Sequence, residues 1–235
     1  MDDWGRFEGR GPRAEVEEVA VLGRRRFLGR LTLGIASFAL GLPTGAEELN
    51  EPQQVVQRVS DGLRRVLRED RGLLKSDPAY VHRLVDELFL PNVDYRRVCA
   101  LVLGPYWKQA SPAQREAFGD EFKALLINTY ATAVNELSEW EIRYLPLRLE
   151  QNDTDVVVRT QVLYPGGDPI GVDYRMHVKD GRWLAYDVRV ADVSLLANYR
   201  STFTRMARKK GVEGLIQDLA ARNAMRVGAS RSRSE

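Results

Sequence analysis

The spacing of apolar residues changes near Trp140, and that change limits the possible folds more than any other feature of the chain. From Pro52 to Leu137 apolar residues recur every three to four positions, the period of a helix buried along one side. From Ile142 to Val190 they recur every second position, the period of a strand. Helices collected ahead of strands, rather than alternating with them, predict an α+β fold with an antiparallel sheet.

The helical half divides at its own punctuation. Pro52 suits a first turn, and Val55, Val56, Val59, Leu63, Val66 and Leu67 follow before Gly72. Asp77-Pro78 opens a second helix with Val81, Leu84, Val85, Leu88 and Phe89 on one face, and Pro91 breaks it. Asp94 can cap a third, carrying Val98, Leu101 and Val102, which Gly104-Pro105 stops. Ser111-Pro112-Ala113-Gln114 reads as a capping box. The long helix after it aligns Phe118, Phe122, Leu125, Leu126, Thr129, Tyr130, Ala133 and Leu137 in one stripe.

The strand half predicts about four strands, over 142–149, 155–164, 170–179 and 182–190. Pro146 marks the first as an edge or bulged strand. Pro165-Gly166-Gly167-Asp168-Pro169 and Asp180-Gly181 supply the turns between the last three. C-terminal helices are expected from Ser194 and over 212–221. The tail 223–235, rich in Arg, Ser, Gly and Ala, is expected to be disordered. No linker interrupts 47–222, which reads as one domain.

An export signal is expected at residues 1–46. Arg24-Arg25-Arg26-Phe27-Leu28 precedes an apolar stretch from Leu31 to Leu42, too short for a bilayer-spanning helix. Thr44-Gly45-Ala46 offers a cleavage site. The pattern resembles a twin-arginine signal. The expected compartment is the periplasm.

Composition removes several function classes. Thirty-five Lys and Arg against 33 Asp and Glu leave a net charge of +2, without the basic excess of a dedicated nucleic-acid binder. One cysteine, Cys99, cannot form an intrachain disulfide or a multi-cysteine zinc site. Two histidines, His82 and His177, leave little for metal or imidazole chemistry, and no cofactor or metal is expected. There is no Gly-x-Ser-x-Gly elbow, no phosphate-binding Gly-rich loop and no His-Glu-x-x-His. Cys99 reads as a buried structural thiol, His177 as a surface residue, and Asp153 and Asp155 as turn residues. Asp187, in a mostly apolar strand, is either a general base in a cavity or a partner for a helix end or an arginine. Arg222, Arg226, Arg231 and Arg233 could meet anions but are expected to be solvated.

Five stretches carry a family resemblance. Leu90-Pro91-Asn92-Val93-Asp94 is followed by Val102-Leu103-Gly104-Pro105-Tyr106-Trp107, and then by Ser111-Pro112-Ala113-Gln114-Arg115-Glu116-Ala117-Phe118. Gly181-Arg182-Trp183-Leu184-Ala185-Tyr186-Asp187-Val188 and Val193-Ser194-Leu195-Leu196-Ala197-Asn198-Tyr199-Arg200-Ser201-Thr202-Phe203 continue the match. In this order, over roughly residues 50–222, they resemble the MlaC family of periplasmic phospholipid-binding proteins. The chain departs from the family pattern at Ala191 and Asp192, where Glu-Gly is usual. Asp adopts a left-handed turn less easily than Gly.

The resemblance implies a phospholipid carrier, not an enzyme, with an apolar cavity between helices and sheet. Such carriers exchange lipid with an inner-membrane ABC complex and an outer-membrane lipoprotein–porin complex, maintaining outer-membrane asymmetry. Two acyl chains hold about 30 methylenes, and exposing them to water would cost about 24 kcal/mol. A carrier therefore needs an enclosed apolar pocket and few polar groups. The candidate tail contacts are Phe118, Phe122, Leu125, Val158, Tyr174, Met176, Tyr186, Val188, Tyr199 and Phe203, with Arg200 as a possible headgroup contact. Two other readings stay open: a carrier of another hydrophobic ligand such as a hopanoid, and an enzyme on a similar cone-shaped scaffold using Asp187. The apolar pattern by itself does not separate a filled core from a lined cavity.

Overall fold

The computed structural model describes residues 48–136 and 140–231. The expected export signal over 1–46 lies outside the described residues, as does Leu137.

Helix α1 (Glu51–Glu69) begins where Asn50 and Gln53 form a reciprocal capping box, with Pro52 in the first turn. Helices α2 (Arg71–Ser76) and α3 (Pro78–Leu84) follow, the latter capped by Asp77. Helix α3 passes into a π-helical turn, Val85–Phe89, and a 3₁₀ turn, Leu90–Asn92, where Pro91 ends the run. Asp94 caps α4 (Tyr95–Leu103), with the Arg97 N–H donating to Asp94 Oδ1. After the short α5 (Tyr106–Gln109), the expected Ser111/Gln114 capping box opens α6 (Pro112–Glu136).

Among the described residues five antiparallel strands lie in sequence order: β1 (Glu141–Tyr144), β2 (Asp155–Leu163), β3 (Ile170–Lys179), β4 (Arg182–Val190) and β5 (Val193–Ser194). The fold is thus α+β, as expected, with β5 as a fifth strand too short to show a period. β1 stops ahead of Pro146, as its missing N–H requires. The chain ends in α7 (Leu195–Arg231), kinked at Gly211, whose φ of 72° breaks the helical backbone.

Two apolar clusters hold these elements. One joins α4, α6 and α7: Phe118 and Phe122 of α6 meet Tyr199 and Phe203 of α7. The ring centroids lie 5.1 to 5.7 Å apart in edge-on arrangements, a favourable geometry for aromatic pairs. The second places Val55 and Val56 of α1 on Val156, Val158, Met176 and Trp183 of the sheet. Both halves of α7 flank α6. Gln114 meets Glu213, Asn223 holds Glu121, and Arg226 donates to Asn128 O.

The start of the expected disordered tail is therefore structured. Asn223 is buried and hydrogen-bonded, and α7 runs on through Arg231. Val212, Leu215, Ile216 and Leu219 pack into the helical core, and the turns that follow continue a helix already anchored there. The tail's polar composition does not encode that anchoring.

A bulge between Arg175 and Met176 alters the side-chain phase of β4. Trp183 and Ala185 pair with Val178 and Met176 and share their face, while Leu184 pairs with His177 on the other. Beyond the bulge Val188 pairs with Tyr174. Strict alternation along β4 would place Tyr186 with Val188 and Trp183 with Asp187, and the bulge breaks both groupings.

Candidate functional site

An apolar hollow of about 260 Å³ lies among the helices. Its walls are Leu63 of α1, Leu74 of α2, and Val81 and Leu84 of α3. Val85 and Phe89 of the π-turn join them, with Leu90 and Val93 beyond it. The opposite wall is α6, through Lys123, Leu126, Ile127, Tyr130 and Ala131, with Tyr95 of α4. Of these fourteen residues only Tyr95, Lys123 and Tyr130 carry a polar side-chain atom. The Tyr95 hydroxyl is spent on Gly119 O at 2.6 Å, and burial pushes its phenol far above the ordinary range. The hollow therefore offers shape and apolar area, with little to orient a reacting polar group.

The π-turn helps to shape this wall. It packs on α1 at Gly62, where a Cβ would come within 2.6 Å of Leu88. Two stripes interleave on α6. Phe118, Phe122, Leu125 and Thr129 are buried, the phenylalanines against α7, while Lys123, Leu126, Ile127 and Tyr130 face the hollow. A helix apolar on two sides must be covered on both.

The ten expected tail contacts lie elsewhere. Phe118, Phe122, Leu125, Tyr199 and Phe203 pack against one another in the helical core. Val158 and Met176 are fully buried beneath α1, with Tyr174 beside them and Val188 paired to Tyr174 across the strands. Burial raises the Tyr174 phenol to about 12. Tyr186 lies 4.1 Å from the Arg97 guanidinium and 5.0 Å from that of Arg175, with its hydroxyl donating to Asp155. The hollow lies between helices, whereas the expected cavity lay between helices and sheet; among the described residues, no strand residue lines it. Its wall contains the Val81, Leu84, Val85 and Phe89 stripe, which periodicity revealed without indicating that the space beside it stays open.

Arg200 is exposed on α7, in a separate dent with Pro105, Tyr106, Ser201, Thr204, Arg205 and Arg208. It shares no residue with the hollow.

Asp187 is buried, and both its oxygens serve the start of α7. Ser194 Oγ donates to Oδ2 at 2.8 Å, and the Leu196 N–H donates to Oδ1 at 3.1 Å. It caps a helix end, as the non-catalytic reading expected. The Cys99 thiol is pushed up to about 12 by burial, so it is not an ionised nucleophile at neutral pH. His177 is not the surface residue its strand phase suggested. Its side chain is 12% exposed, Nε2 lies 3.1 Å from Asp94 Oδ2, and its ring meets Tyr186 edge-on. Lys179 donates to the other Asp94 oxygen at 3.0 Å. Burial alone would raise the Asp94 carboxyl. Donation from Lys179 and from the Arg97 N–H, with the nearby positive charge, instead holds it below the ordinary carboxylate range. Asp94 thus ties the helical layer to β3, a role its capping position did not announce.

No cluster of His, Cys, Asp and Glu suited to a metal occurs among the described residues. Among them, no helix is long and apolar enough to cross a membrane.

Residues 57–221 match the family described as MlaC protein. A Haemophilus influenzae protein named as the intermembrane phospholipid transport system binding protein MlaC is 28% identical over 190 residues, covering 79% of this chain and 87% of its own. The toluene tolerance protein ttg2D of Pseudomonas putida is 22% identical over 182 residues, covering 77% and 84%. A phospholipid-binding protein of Ralstonia solanacearum, solved in complex with a phospholipid, superposes with a TM-score of 0.71 at 34% identity. That match covers 76% of this chain and 99% of the other.

Proposed function

The chain belongs to the MlaC family, and from that premise we propose that it carries phospholipid through the periplasm with the acyl chains held in the helical hollow. The hollow carries this reading, because its wall is almost wholly hydrocarbon. Sheltering about 30 methylenes from water is worth about 24 kcal/mol, which apolar area supplies without specific polar contacts. The same figure makes unassisted release slow. Loading and unloading would then occur while docked, to an inner-membrane ABC lipid-transport complex on one side and an outer-membrane lipoprotein–porin complex on the other. Such a carrier needs no catalytic group, and Asp187 is fully used in capping α7.

At about 260 Å³ the hollow is below the roughly 300–1,000 Å³ usual for small-molecule sites, so two acyl chains require its walls to part. Helix α1 is the wall best placed to move. Leu63 faces the hollow while Val55 and Val56 rest on the sheet.

Native mass spectrometry of the protein purified from the periplasm tests the reading. Masses of two-chain phospholipids are expected on the folded protein, and its N-terminus is expected after Ala46. A polycyclic lipid mass, or a persistently ligand-free protein that takes nothing from phospholipid vesicles, would overturn it.

A further inference from the structure

Among the described residues that line the hollow, Lys123 alone carries a charge. Its ammonium lies 3.0 Å from Asp86 Oδ1 on the π-turn. The two side chains are 24% and 48% exposed, so the pair sits where the hollow meets solvent. An ion pair this open to water contributes little to stability. Its position is more informative: Asp86 follows Val85 and precedes Phe89 on the same turn, and both of those line the hollow. One short segment thus supplies apolar wall and the partner of the rim cation. It is a π-helical turn, a rare geometry that recurs at functional sites.

We propose that Lys123 is the phosphate-recognition point of the hollow, and that Asp86 holds its ammonium until a phosphate takes its place. The proposal rests on the acyl-chain reading above. Chains lying between α3, the π-turn and α6 would leave their phosphodiester at the rim, beside Lys123. Loading exchanges one anion for another on the same ammonium, so no unpaired charge is left against the apolar wall. Asp86, already half exposed, turns into water, where its charge is solvated. An ammonium is a compact point charge without the fork geometry of arginine. It would recognise the phosphate common to phospholipids and leave the group beyond it unread.

The test compares phosphatidylglycerol with diacylglycerol bearing the same two chains, each offered in vesicles to the lipid-stripped full chain and counted by native mass spectrometry. Lys123→Met should reduce phosphatidylglycerol uptake about tenfold and leave diacylglycerol uptake unchanged. Asp86→Asn should raise phosphatidylglycerol uptake, again with no effect on diacylglycerol. Opposite effects of two neighbouring substitutions are not expected from damage to the fold, and thermal melts of both variants should match the parent. Inorganic phosphate in excess should not displace bound phosphatidylglycerol; displacement would assign Lys123 to a free anion and overturn the proposal. Equal losses for both lipids in Lys123→Met, or no loss, would also overturn it. Failure of the unsubstituted protein to take up either lipid would remove the acyl-chain reading, and this proposal with it.

Discussion

Ala191 and Asp192 close the β4–β5 hairpin with φ of 47° and 67°, both in the left-handed region. A Cβ there is strained by roughly 1–2 kcal/mol per residue, and Arg189 offsets part of it by donating to the Asp192 carbonyl and carboxylate. Ala191, whose N–H donates to Gly171 O and would do so equally from glycine, is expected to gain about 1 kcal/mol on replacement by glycine, read as a raised melting temperature. Asp94 permits a second prediction. Asp94→Asn keeps a capping side chain but removes the charge that faces Lys179 and His177, with an expected loss of about 1–3 kcal/mol near neutral pH. The folded carboxyl titrates below its ordinary value of 3.8. Its stabilisation is therefore present above that value and fades as pH falls through the folded pKa. Denaturation curves of parent and variant should converge in acid; a constant gap at every pH would exclude the charge as the cause.

The long helix α6 separates packing from ligand binding. Phe122 is 1% exposed and ringed by Phe118, Tyr199 and Phe203, so Phe122→Ala should cost about 3–5 kcal/mol by leaving a cavity in the helical core. Ile127 faces the hollow from the neighbouring stripe. Ile127→Trp should fill that space and block lipid uptake while the melting temperature holds or rises. Paired uptake and melting measurements check both, and lipid uptake unaffected by Ile127→Trp would move the acyl chains out of this hollow. Leu125 and Leu126, and Thr129 and Tyr130, read as one stripe in the sequence, and the fold divides them: Leu125 and Thr129 are buried while Leu126 and Tyr130 face the hollow. Which side meets another helix and which meets open space depends on the position of α3 and the π-turn, set by contacts distant along the chain.

Across the whole molecule, α1 is tied down at one end. Asn50 Nδ2 donates to Leu147 O and Gln53 Nε2 to Leu145 O, beside the sheet edge. Widening of the hollow should therefore begin at the far end of α1, near Leu63, and spread into α2. Hydrogen exchange on the lipid-free and lipid-loaded protein should change over residues 63–76 and stay constant over 50–56. A uniform change along α1 would show instead that the helix moves as one piece. The enzyme reading built on Asp187 also belongs to this scale. Asp187, the acid that favoured an enzyme, does not line the hollow, and both its oxygens are held by Ser194 and Leu196 at the start of α7.

Local pattern determined the element types, because periodicity, Pro positions and capping side chains act within a few residues of each other. The Ser111 and Asp94 caps, the 170–179 strand and the Asp180-Gly181 turn were all legible this way. Tertiary structure decided which apolar residues border an empty space. A leucine in a filled core and a leucine on a cavity wall have the same chemistry and the same spacing. They differ only in what the rest of the chain places opposite them. The bulge in β3 and β4 and the Lys123–Asp86 pair belong to the same class: each depends on residues distant in sequence meeting in space.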